Sequence, residues 1–574
     1  MGVKTFLENK LKEVFIKLGY NESNATLSFS DREKVDFQCN GVFALAKEKK
    51  QKPMDIANNI VKNLTTLSDI CEITTASPAF INFELKNNYL SEIANKLLLD
   101  DCVGIKKIEH PQKIVFDYGG ANIAKPLHVG HLRSAIIGES LKRLNILLGN
   151  TTIADVHLGD WGLQMGLIIA QLMDDYNLGF YFSENVPKFE ITEEILDIIY
   201  PKASNRKKTD EEFYNRASDI TLWLQQKKFG YYEIWQEIRK VSIGMIKRNY
   251  RDLGTTFDLW NGESSVNDIV PEVIDIFKDK KLLYKSEGAW IVDVADDNTN
   301  EPMPPAIIQK SNGAQMYTIT DISTIYQREN KFKPDKMIYI TDNRQTLHFK
   351  QVIKCVRLAN IVRDEVEIEH ITFGTVNGKD GKPFKTRDGG TFKLGDLIDL
   401  ATNKALDKLK ESNKIDIPCR ELAKKIGISA LIFGDLANVI SKDYIFDLDK
   451  FLTFEGKTGP YLQYIGVRIK SILNKANLTN SKIIVDSAQI SKIILAILKL
   501  NYSYEVAYKE NSLHGVCLSL FDLASAFSTF YNDVKILTES DEVKKQSYLS
   551  LCKLVLNALT LGCGILGIDI PEKM

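Results

Sequence analysis

The first hundred residues combine helical and strand-like hydrophobic patterns. Apolar residues recur at helical spacing from Phe6 to Leu18, and a short strand-like apolar run follows at Phe80–Leu85. This mixture is typical of a small α+β domain. We therefore predict such a domain over residues 1–108.

From about residue 112 the pattern changes to short apolar strands separated by helical stretches. This alternation predicts a parallel sheet joined by right-handed crossovers, with its ligand crevice at the carboxyl ends of the strands. A polar, aromatic and helical stretch at about 177–286 is interpreted as an insertion. The predicted strands are Ile114–Tyr118, Thr152–Val156, Trp290–Val294, Met337–Thr341 and His370–Phe373.

Strand signals vanish from about residue 420 onward. Helical patterns run to the end of the chain, among them Leu513–Tyr531 and Tyr548–Leu561, and predict a separate bundle. The 574 residues are too many for one hydrophobic core. We expect an α/β multidomain protein with an N-terminal α+β domain, a Rossmann-like parallel-sheet domain at 109–440 and an all-α bundle at 441–574.

Composition is that of an ordinary globular protein. The 74 basic and 75 acidic residues nearly cancel, so a nucleic acid would have to be met by a local basic surface. None of the eight cysteines has Cys-x-x-Cys spacing, which argues against the usual structural zinc site and indicates reduced, mostly buried thiols. We see no membrane span and no targeting pattern at the N-terminus, and we expect a cytoplasmic protein.

The most informative stretch is His-Val-Gly-His, from His128 to His131, just before a helical pattern at Leu132–Leu148. Two histidines three positions apart at a helix start lie on one face, where the first amides and the positive end of the helix dipole also point. Gly130 leaves room for a flat ring against the backbone, and Gly119-Gly120 lets the chain turn off the preceding strand. We predict a site for a nucleotide phosphate here.

A second basic feature is the glycine-rich loop at 378–390, which follows a predicted strand. It carries Lys382, Lys385 and Arg387 within six residues. Cations on a segment hinged by glycines can close over a polyphosphate as its charge builds. Taken alone, this sequence is also typical of an exposed, solvated hairpin. Together with the histidine turn, it indicates a triphosphate site.

The two elements resemble the HIGH and KMSKS signatures of class I aminoacyl-tRNA synthetases, and the chain as a whole is similar to the arginyl-tRNA synthetase family. The first signature has that family's extended form, Ala-Asn-x-x-Lys-Pro-Leu-His-Val-Gly-His-Leu-Arg. Further stretches similar to the family are at 36–47, 157–166, 454–464 and 566–574. In the second signature, Pro383 and Phe384 stand where class I enzymes usually carry Met and Ser, so only its lysines match well.

The resemblance implies an arginine–tRNA ligase. Such an enzyme joins L-arginine to ATP, with Mg²⁺, as arginyl-adenylate and passes it to the 2′-hydroxyl of the terminal adenosine of arginine tRNA. No tightly bound cofactor and no protein-bound metal are implied. The attacking carboxylate is already ionised, so positioning and charge stabilisation replace a general base. The implied ATP-binding residues are Lys125, Pro126, Leu127, His128, Val129, Gly130, His131, Lys382, Lys385 and Arg387, of which His128, His131, Lys382 and Lys385 are the catalytic candidates.

Selecting arginine requires carboxylates arranged for forked hydrogen bonds to a planar cation. The resemblance assigns this role to Glu263 and Asp321, with Tyr317 one helical turn before Asp321 if that stretch is helical. Asn122 and Gln345 would hold the amino and carboxylate groups of the substrate, with His128 also close to the amino acid.

The helical C-terminal region offers surfaces for tRNA. Tyr461, Tyr464 and Arg468 near its start provide aromatic faces for unstacked anticodon bases beside a cation for phosphate. By the resemblance alone, the N-terminal domain would contact the tRNA elbow. Members of the family are often monomers, and we expect a monomer here.

Three other interpretations remain at this point. A small-molecule adenylyltransferase would use a similar histidine turn, but it would leave the insertion and the helical C-terminus unexplained. A cysteinyl synthetase would need a zinc site that this cysteine pattern does not supply. A tRNA-binding paralogue without activity is opposed by the presence of both histidines, both loop lysines and both guanidinium-binding acids.

Overall fold

The structure is a computed structural model. It describes residues 2–183, 189–295, 303–310, 315–384, 392–411, 419–479 and 481–574. The chain forms two compact units. The first comprises Met1–Lys107, Lys408–Phe433 and Phe451–Met574, and the second comprises Ile108–Asp407 and Gly434–Lys450.

The N-terminal part of the first unit is a four-stranded antiparallel sheet with helices packed on it. Its elements are α1 (Val3–Lys17), β1 (Leu27–Phe29), β2 (Phe37–Cys39), α2 (Val42–Lys49), α3 (Pro53–Asn63), β3 (Cys71–Ala76), β4 (Phe80–Leu85) and α4 (Asn87–Leu98). The strand order is β1-β2-β4-β3. Leu7, Leu11 and Phe15 of α1 are fully buried, as the helical spacing predicts.

The second unit is built on a parallel sheet at whose carboxyl edge the candidate site lies. Its elements are β5 (Lys113–Asp117), α5 (Val129–Leu147), β6 (Thr151–Asp155), α6 (Leu163–Asp175), α7 (Glu193–Arg206), α8 (Glu211–Gln225), α9 (Tyr231–Asp252), α10 (Val270–Asp279), β7 (Leu283–Ser286), β8 (Ala289–Val292), β9 (Ala306–Gln309), α11 (Tyr317–Phe332), β10 (Lys336–Asp342), α12 (Thr346–Leu358), β11 (Glu367–Phe373) and β12 (Val376–Asn377). The sheet order is β11-β10-β5-β6, with every neighbouring pair parallel. The predicted parallel sheet is therefore confirmed.

One predicted strand, Trp290–Val294, is not in this sheet. Most of it is β8, the middle strand of a separate antiparallel sheet in the order β7-β8-β9. Glu287 and Gly288 both have positive φ angles, 47° and 82°, and form a tight turn between β7 and β8. A short apolar run looks the same in a parallel and in an antiparallel sheet, and the prediction was wrong because it passed over this turn.

The C-terminal region is helical, as predicted. Its elements, beginning in the second unit, are α13 (Leu394–Glu411), α14 (Arg420–Leu436), β13 (Tyr444–Ile445), α15 (Leu448–Phe451), α16 (Gly459–Asn474), α17 (Ala488–Glu510), α18 (His514–Asp533) and α19 (Glu542–Leu566). The two-residue strand β13 pairs in parallel with β12 and was missed, because two residues carry no periodicity. Within the first unit α4 packs against α17 and α19. Asn95 of α4 exchanges two hydrogen bonds of 2.9 Å with the backbone of Ile483.

Among the described residues, α19 is long and apolar enough to cross a membrane by length and composition alone. In its most apolar stretch 67% of the residues are buried inside the protein. Leu549, Leu551 and Leu559 are fully buried, so the helix serves as the core of the C-terminal bundle.

Candidate active site

A cavity of about 510 Å³ lies at the carboxyl edge of the parallel sheet. The ends of β5, β10 and β11 contribute to its wall, as do the start of α5 and the first turns of α11 and α12. The lining residues are Asp117, Gly120, Asn122, Lys125, His128, Gly130, His131, Ser134, His157, Gly159, Glu263, Tyr317, Asp321, Ile340, Thr341, Asp342, Arg344, Gln345, His348, Phe349 and Phe373.

Most of the described residues suggested for ATP and arginine meet in this cavity. Asn122, Lys125, His128, Gly130, His131, Glu263, Tyr317, Asp321 and Gln345 all line it. Of the described residues suggested for ATP, Pro126, Leu127, Val129 and Lys382 are not in the lining. Lys385 and Arg387 lie outside the described residues.

The histidine turn is built as the start of α5. His128 is the N-cap residue, and its Nδ1 accepts a hydrogen bond of 3.1 Å from the amide of Gly130. The Nδ1 of His131 accepts one of 3.0 Å from the amide of His128. The two rings lie with centroids 4.0 Å apart. A Cβ on Gly130 would come within 2.9 Å of His128 Cε1. Glycine at this position therefore leaves the room that the His128 ring occupies against the backbone.

The backbone amides of this turn are already occupied, which corrects the expectation that they would hold the anion. The amide of Val129 donates to the carbonyl of Phe392, and the amide of Gly130 donates to His128. The amide of His131 donates to the His128 carbonyl. What the turn presents to the cavity is therefore its imidazole rings and the positive end of the helix dipole.

Both histidines are neutral donors. Burial and the nearby Lys125 lower the pKa of His128 to about 4, and burial together with His128 lowers the pKa of His131 well below its usual range. Each Nδ1 accepts a hydrogen bond, so a neutral ring carries its proton on Nε2. Each ring can therefore donate an N–H to a phosphate oxygen without a change of charge.

The glycine-rich loop is anchored at both described ends. Phe384 donates its amide to the Val376 carbonyl at 3.0 Å, and the rings of Phe384 and Phe392 lie 5.4 Å apart. Leu394 donates its amide to the carbonyl of Leu127 at 2.8 Å, directly beside the histidine turn. Lys382 lies on the exposed turn before this anchor. The unexpected Phe384 therefore has a structural role at the base of the loop.

The acidic part of the cavity is centred on Asp321. Tyr317 and Asp321 lie one turn apart at the start of α11, so the predicted helix is confirmed. Asp321 Oδ2 lies 2.5 Å from His348 Nε2, and Oδ1 lies 3.6 Å from His157 Nε2. Although burial raises the pKa of Asp321, the two histidines outweigh it and bring that pKa to about 2. Asp321 is therefore a fixed anion.

Glu263 faces the same group from a short helical turn. Its amide donates to the Leu158 carbonyl at 3.0 Å. The next residue, Ser264, donates its amide to the buried Asp160, which also pairs with Arg239 at 2.8 Å. Burial raises the pKa of Glu263 to about 8, and Asp321 adds to the rise. This carboxyl is therefore mostly protonated at neutral pH.

His157 lines the cavity beside Asp321 and was not among the predicted site residues. Its φ is +40°, and both ring nitrogens are buried without a hydrogen-bond partner among the described residues. Although burial lowers the pKa of His157, Asp321 and Asp117 raise it to about 9, so the ring is a cation. Its position just after β6 was the available signal, because ligands bind at the carboxyl ends of parallel strands.

Two further cavity residues were missed. Arg344 follows β10, and its guanidinium pairs with Asp342 at 2.7 Å while remaining largely exposed. Its place at a strand end next to Gln345 could have identified it. His348 lies on α12, far along the chain from its partner Asp321, and no local pattern points to that contact.

The residues suggested for tRNA lie on α16 in the first unit. The Arg468 guanidinium lies 4.5 Å from the ring centroid of Tyr464 and 4.7 Å from that of Tyr531. Tyr461, one turn earlier, packs 5.7 Å from Phe521. The three suggested residues are half-buried, so they present an aromatic and cationic surface with restricted side chains.

Comparisons with known proteins cover nearly the whole chain. The family model for the class I (R) tRNA synthetase catalytic domain matches residues 92–448. The model for the arginyl-tRNA synthetase N-terminal domain matches 3–85, and the DALR anticodon-binding domain model matches 462–574.

Full-length relatives agree with these models. The arginine–tRNA ligase of Alkaliphilus oremlandii is 41% identical over 98% of each chain, and that of Agathobacter rectalis is 42% identical over 99% of each. The crystal structure of arginyl-tRNA synthetase from Plasmodium falciparum has a TM-score of 0.82 at 26% identity, covering 100% of this chain and 98% of that one. On this similarity, the chain belongs to the arginyl-tRNA synthetase family of class I aminoacyl-tRNA synthetases.

Proposed function

We propose that the protein is an arginine–tRNA ligase. The carboxylate of L-arginine attacks the α-phosphorus of ATP, which enters with Mg²⁺, and pyrophosphate leaves. The 2′-hydroxyl of the terminal adenosine of arginine tRNA then attacks the arginyl carbonyl carbon, and AMP leaves. No side-chain base is needed in the first step, because the nucleophile is already an anion.

One observation carries the proposal. A single cavity is lined by two neutral imidazoles at a helix start and by an acidic pair, Glu263 and Asp321. The imidazoles suit the phosphates of ATP, and the acids suit a guanidinium. Both substrates of the first step therefore have complementary groups within one enclosure.

The phosphate groups are assigned to the histidine turn and its neighbours. His128 and His131 donate from Nε2 to phosphate oxygens, and Lys125 and Gly130 complete this wall. Lys382, Lys385 and Arg387 hold the departing pyrophosphate when the loop is over the nucleotide. Each such donor commonly contributes about 3 kcal/mol of transition-state stabilisation.

The arginine groups are assigned to the acidic part of the cavity. Glu263 and Asp321 accept the forked hydrogen bonds of the guanidinium, and Tyr317 lines the same space. Asn122 and Gln345 hold the amino and carboxylate groups, with His128 adjacent. Asn122 is fitted closely against Gly159, since a Cβ there would come within 2.0 Å of its Oδ1.

Recognition of tRNA is assigned to both ends of the chain. Tyr461, Tyr464 and Arg468 offer stacking faces and a cation for anticodon nucleotides, and the N-terminal sheet domain meets the elbow. We also expect a cytoplasmic monomer without membrane attachment. Light scattering of the purified protein, free and with tRNA, measures the oligomeric state directly.

The test offers each of the twenty amino acids with ATP, Mg²⁺ and total tRNA and measures acid-precipitable product. Arginine should be the one amino acid of the twenty that is attached to tRNA. Charging of another amino acid in place of arginine would reject the specificity, and complete inactivity would favour a tRNA-binding paralogue. Arginine-dependent pyrophosphate exchange, run with and without tRNA, tells whether the first step needs the nucleic acid.

A further inference from the structure

One fully buried guanidinium joins three segments of the second unit. Arg133 lies on α5, two residues after His131, and its side chain is 1% exposed. Its Nη1 donates to the carbonyl of Gly374 at 2.7 Å and to that of Lys442 at 3.2 Å. Its Nε lies 3.0 Å from Asp435 Oδ2.

The contacts of Arg133 fix the crossing of two segments at the base of the glycine-rich loop. Gly374 leads from β11 into β12, and a Cβ on it would lie 2.4 Å from the backbone of Lys442. Tyr444, in β13, donates its hydroxyl to Asp435 at 2.8 Å, and its ring lies under the Arg133 guanidinium at 5.1 Å. Small displacements at this crossing would move both segments.

The same segment continues to Lys382. Val376 of β12 accepts the hydrogen bond from Phe384, which closes the turn that carries Lys382. Phe384 also packs on Phe446, just after β13, with ring centroids 4.9 Å apart. A rigid path of hydrogen bonds and packed rings therefore runs from the helix of His131 to the lysine turn.

A buried ion pair is a poor way to gain stability. Desolvation of the two charges commonly cancels their attraction, and an apolar replacement is often no less stable. The contacts do impose one geometry, because Nη1 can reach both carbonyls and Nε can lie beside Asp435 only when all three segments are in place.

We propose that Arg133, held by Asp435 and Tyr444, is a positioning residue that keeps the turn of Lys382 in register with the histidine turn. The proposal rests on the proposed function, since the lysines act on the pyrophosphate of ATP. Misplacement should therefore impair the use of ATP and leave arginine binding intact.

The test compares two tyrosine variants. Tyr444→Phe removes the hydroxyl that holds Asp435 and keeps the ring. Tyr118→Phe is the matched control, because its hydroxyl lies 2.9 Å from the buried acid Glu139 of α5 and also 2.9 Å from the Thr256 carbonyl. Glu139 is paired with the cations Lys142 and Arg143. Both variants lose one hydrogen bond to a buried, cation-paired carboxylate.

Thermal unfolding, arginine binding by calorimetry, and arginine-dependent pyrophosphate exchange with tRNA present are measured on each full-length protein. For Tyr444→Phe we expect about tenfold slower exchange with a raised KM for ATP, and arginine affinity within twofold of the wild type. Tyr118→Phe should lose about as much thermal stability as Tyr444→Phe but should keep the wild-type rate of pyrophosphate exchange.

Asp435→Asn is a further variant at the same ion pair, and it should reduce pyrophosphate exchange more than Tyr444→Phe does. Equal loss of exchange in Tyr444→Phe and Tyr118→Phe would overturn the proposal, as would a loss confined to arginine affinity. If the wild-type protein gave no arginine-dependent exchange at all, the proposed function would fail instead, and the two failures are thus distinguishable.

Discussion

Binding of arginine should release a proton from Glu263, so arginine affinity should fall as the pH is lowered. Burial raises the pKa of this carboxyl to about 8. A guanidinium placed against it favours the carboxylate and lowers that pKa. Because the free enzyme holds the proton and the complex does not, acid favours the free enzyme and alkali favours the complex.

The size of the effect follows from the pKa of about 8. At pH 7 roughly nine in ten free molecules carry the proton, and each further pH unit costs about 1.4 kcal/mol of binding free energy. The dissociation constant should therefore be about tenfold higher at pH 7 than well above pH 8, and about 100-fold higher at pH 6.

Calorimetry in two buffers of different ionisation enthalpy measures the proton directly. At pH 7 the wild-type protein should release close to one proton per arginine bound. Glu263→Gln should release far less and should bind with a nearly constant affinity from pH 6 to 8. Titration of the ligand, and of His157, is shared by both proteins and cancels. An arginine affinity of the wild type that does not change with pH, or equal proton release by both proteins, would show that Glu263 does not lose a proton on binding.

Three further predictions concern other parts of the cavity. Asp321→Asn should weaken arginine binding about 100-fold and leave ATP affinity within twofold of the wild type, as measured by calorimetry. Equal loss of arginine and ATP affinity would show that Asp321 does not serve the guanidinium in particular. Gly130→Ala, which drives a methyl into the His128 ring, should slow pyrophosphate exchange about 100-fold. Gly515→Ala, with open space around it, is the control, and equal rates would contradict the argument. Lys382→Ala should slow exchange about 100-fold without changing arginine affinity; an equal loss in Lys379→Ala, whose lysine pairs with Asp447, would show a general charge effect.

The parts of the fold that follow local patterns could be predicted from the sequence. The four parallel strands lie where their apolar runs fall, and α5 begins three residues before the predicted helix because His128 caps it. Asn122, the histidine turn, Glu263 and Asp321 were brought together by resemblance to a family. Composition and spacing alone would have left each acid an ordinary surface residue.

The remaining features depend on contacts between distant segments. His348 meets Asp321 only because α11 and α12 pack side by side, and no spacing in the chain encodes that. The amides of Val129 and Gly130 are occupied by Phe392 and by His128, so the general rule that free amides at a helix start bind an anion does not hold for these two amides. The pairing of β12 with β13, whose flanking carbonyls at Gly374 and Lys442 both accept from Arg133, joins segments far apart in the chain, and single-sequence periodicity does not reveal it.

The cavity holds acidic and basic groups close together, and Asp342 and Asp321 each have partners other than Lys125. Asp342 is paired with Arg344, and Asp321 lies between two histidines, so neither acid is left to bind Lys125. His128 and His131, which we propose for the phosphates, lie at the start of α5 beside the sheet edge, whereas Glu263 lies in the segment that follows α9 and is held there by Asp160 through Ser264. We therefore propose that the groups for ATP are supplied by the sheet edge and α5, and that the guanidinium is bound by Asp321 of α11 together with Glu263 of this separate segment. A change in that segment can alter which amino acid is accepted while the histidine turn keeps its geometry.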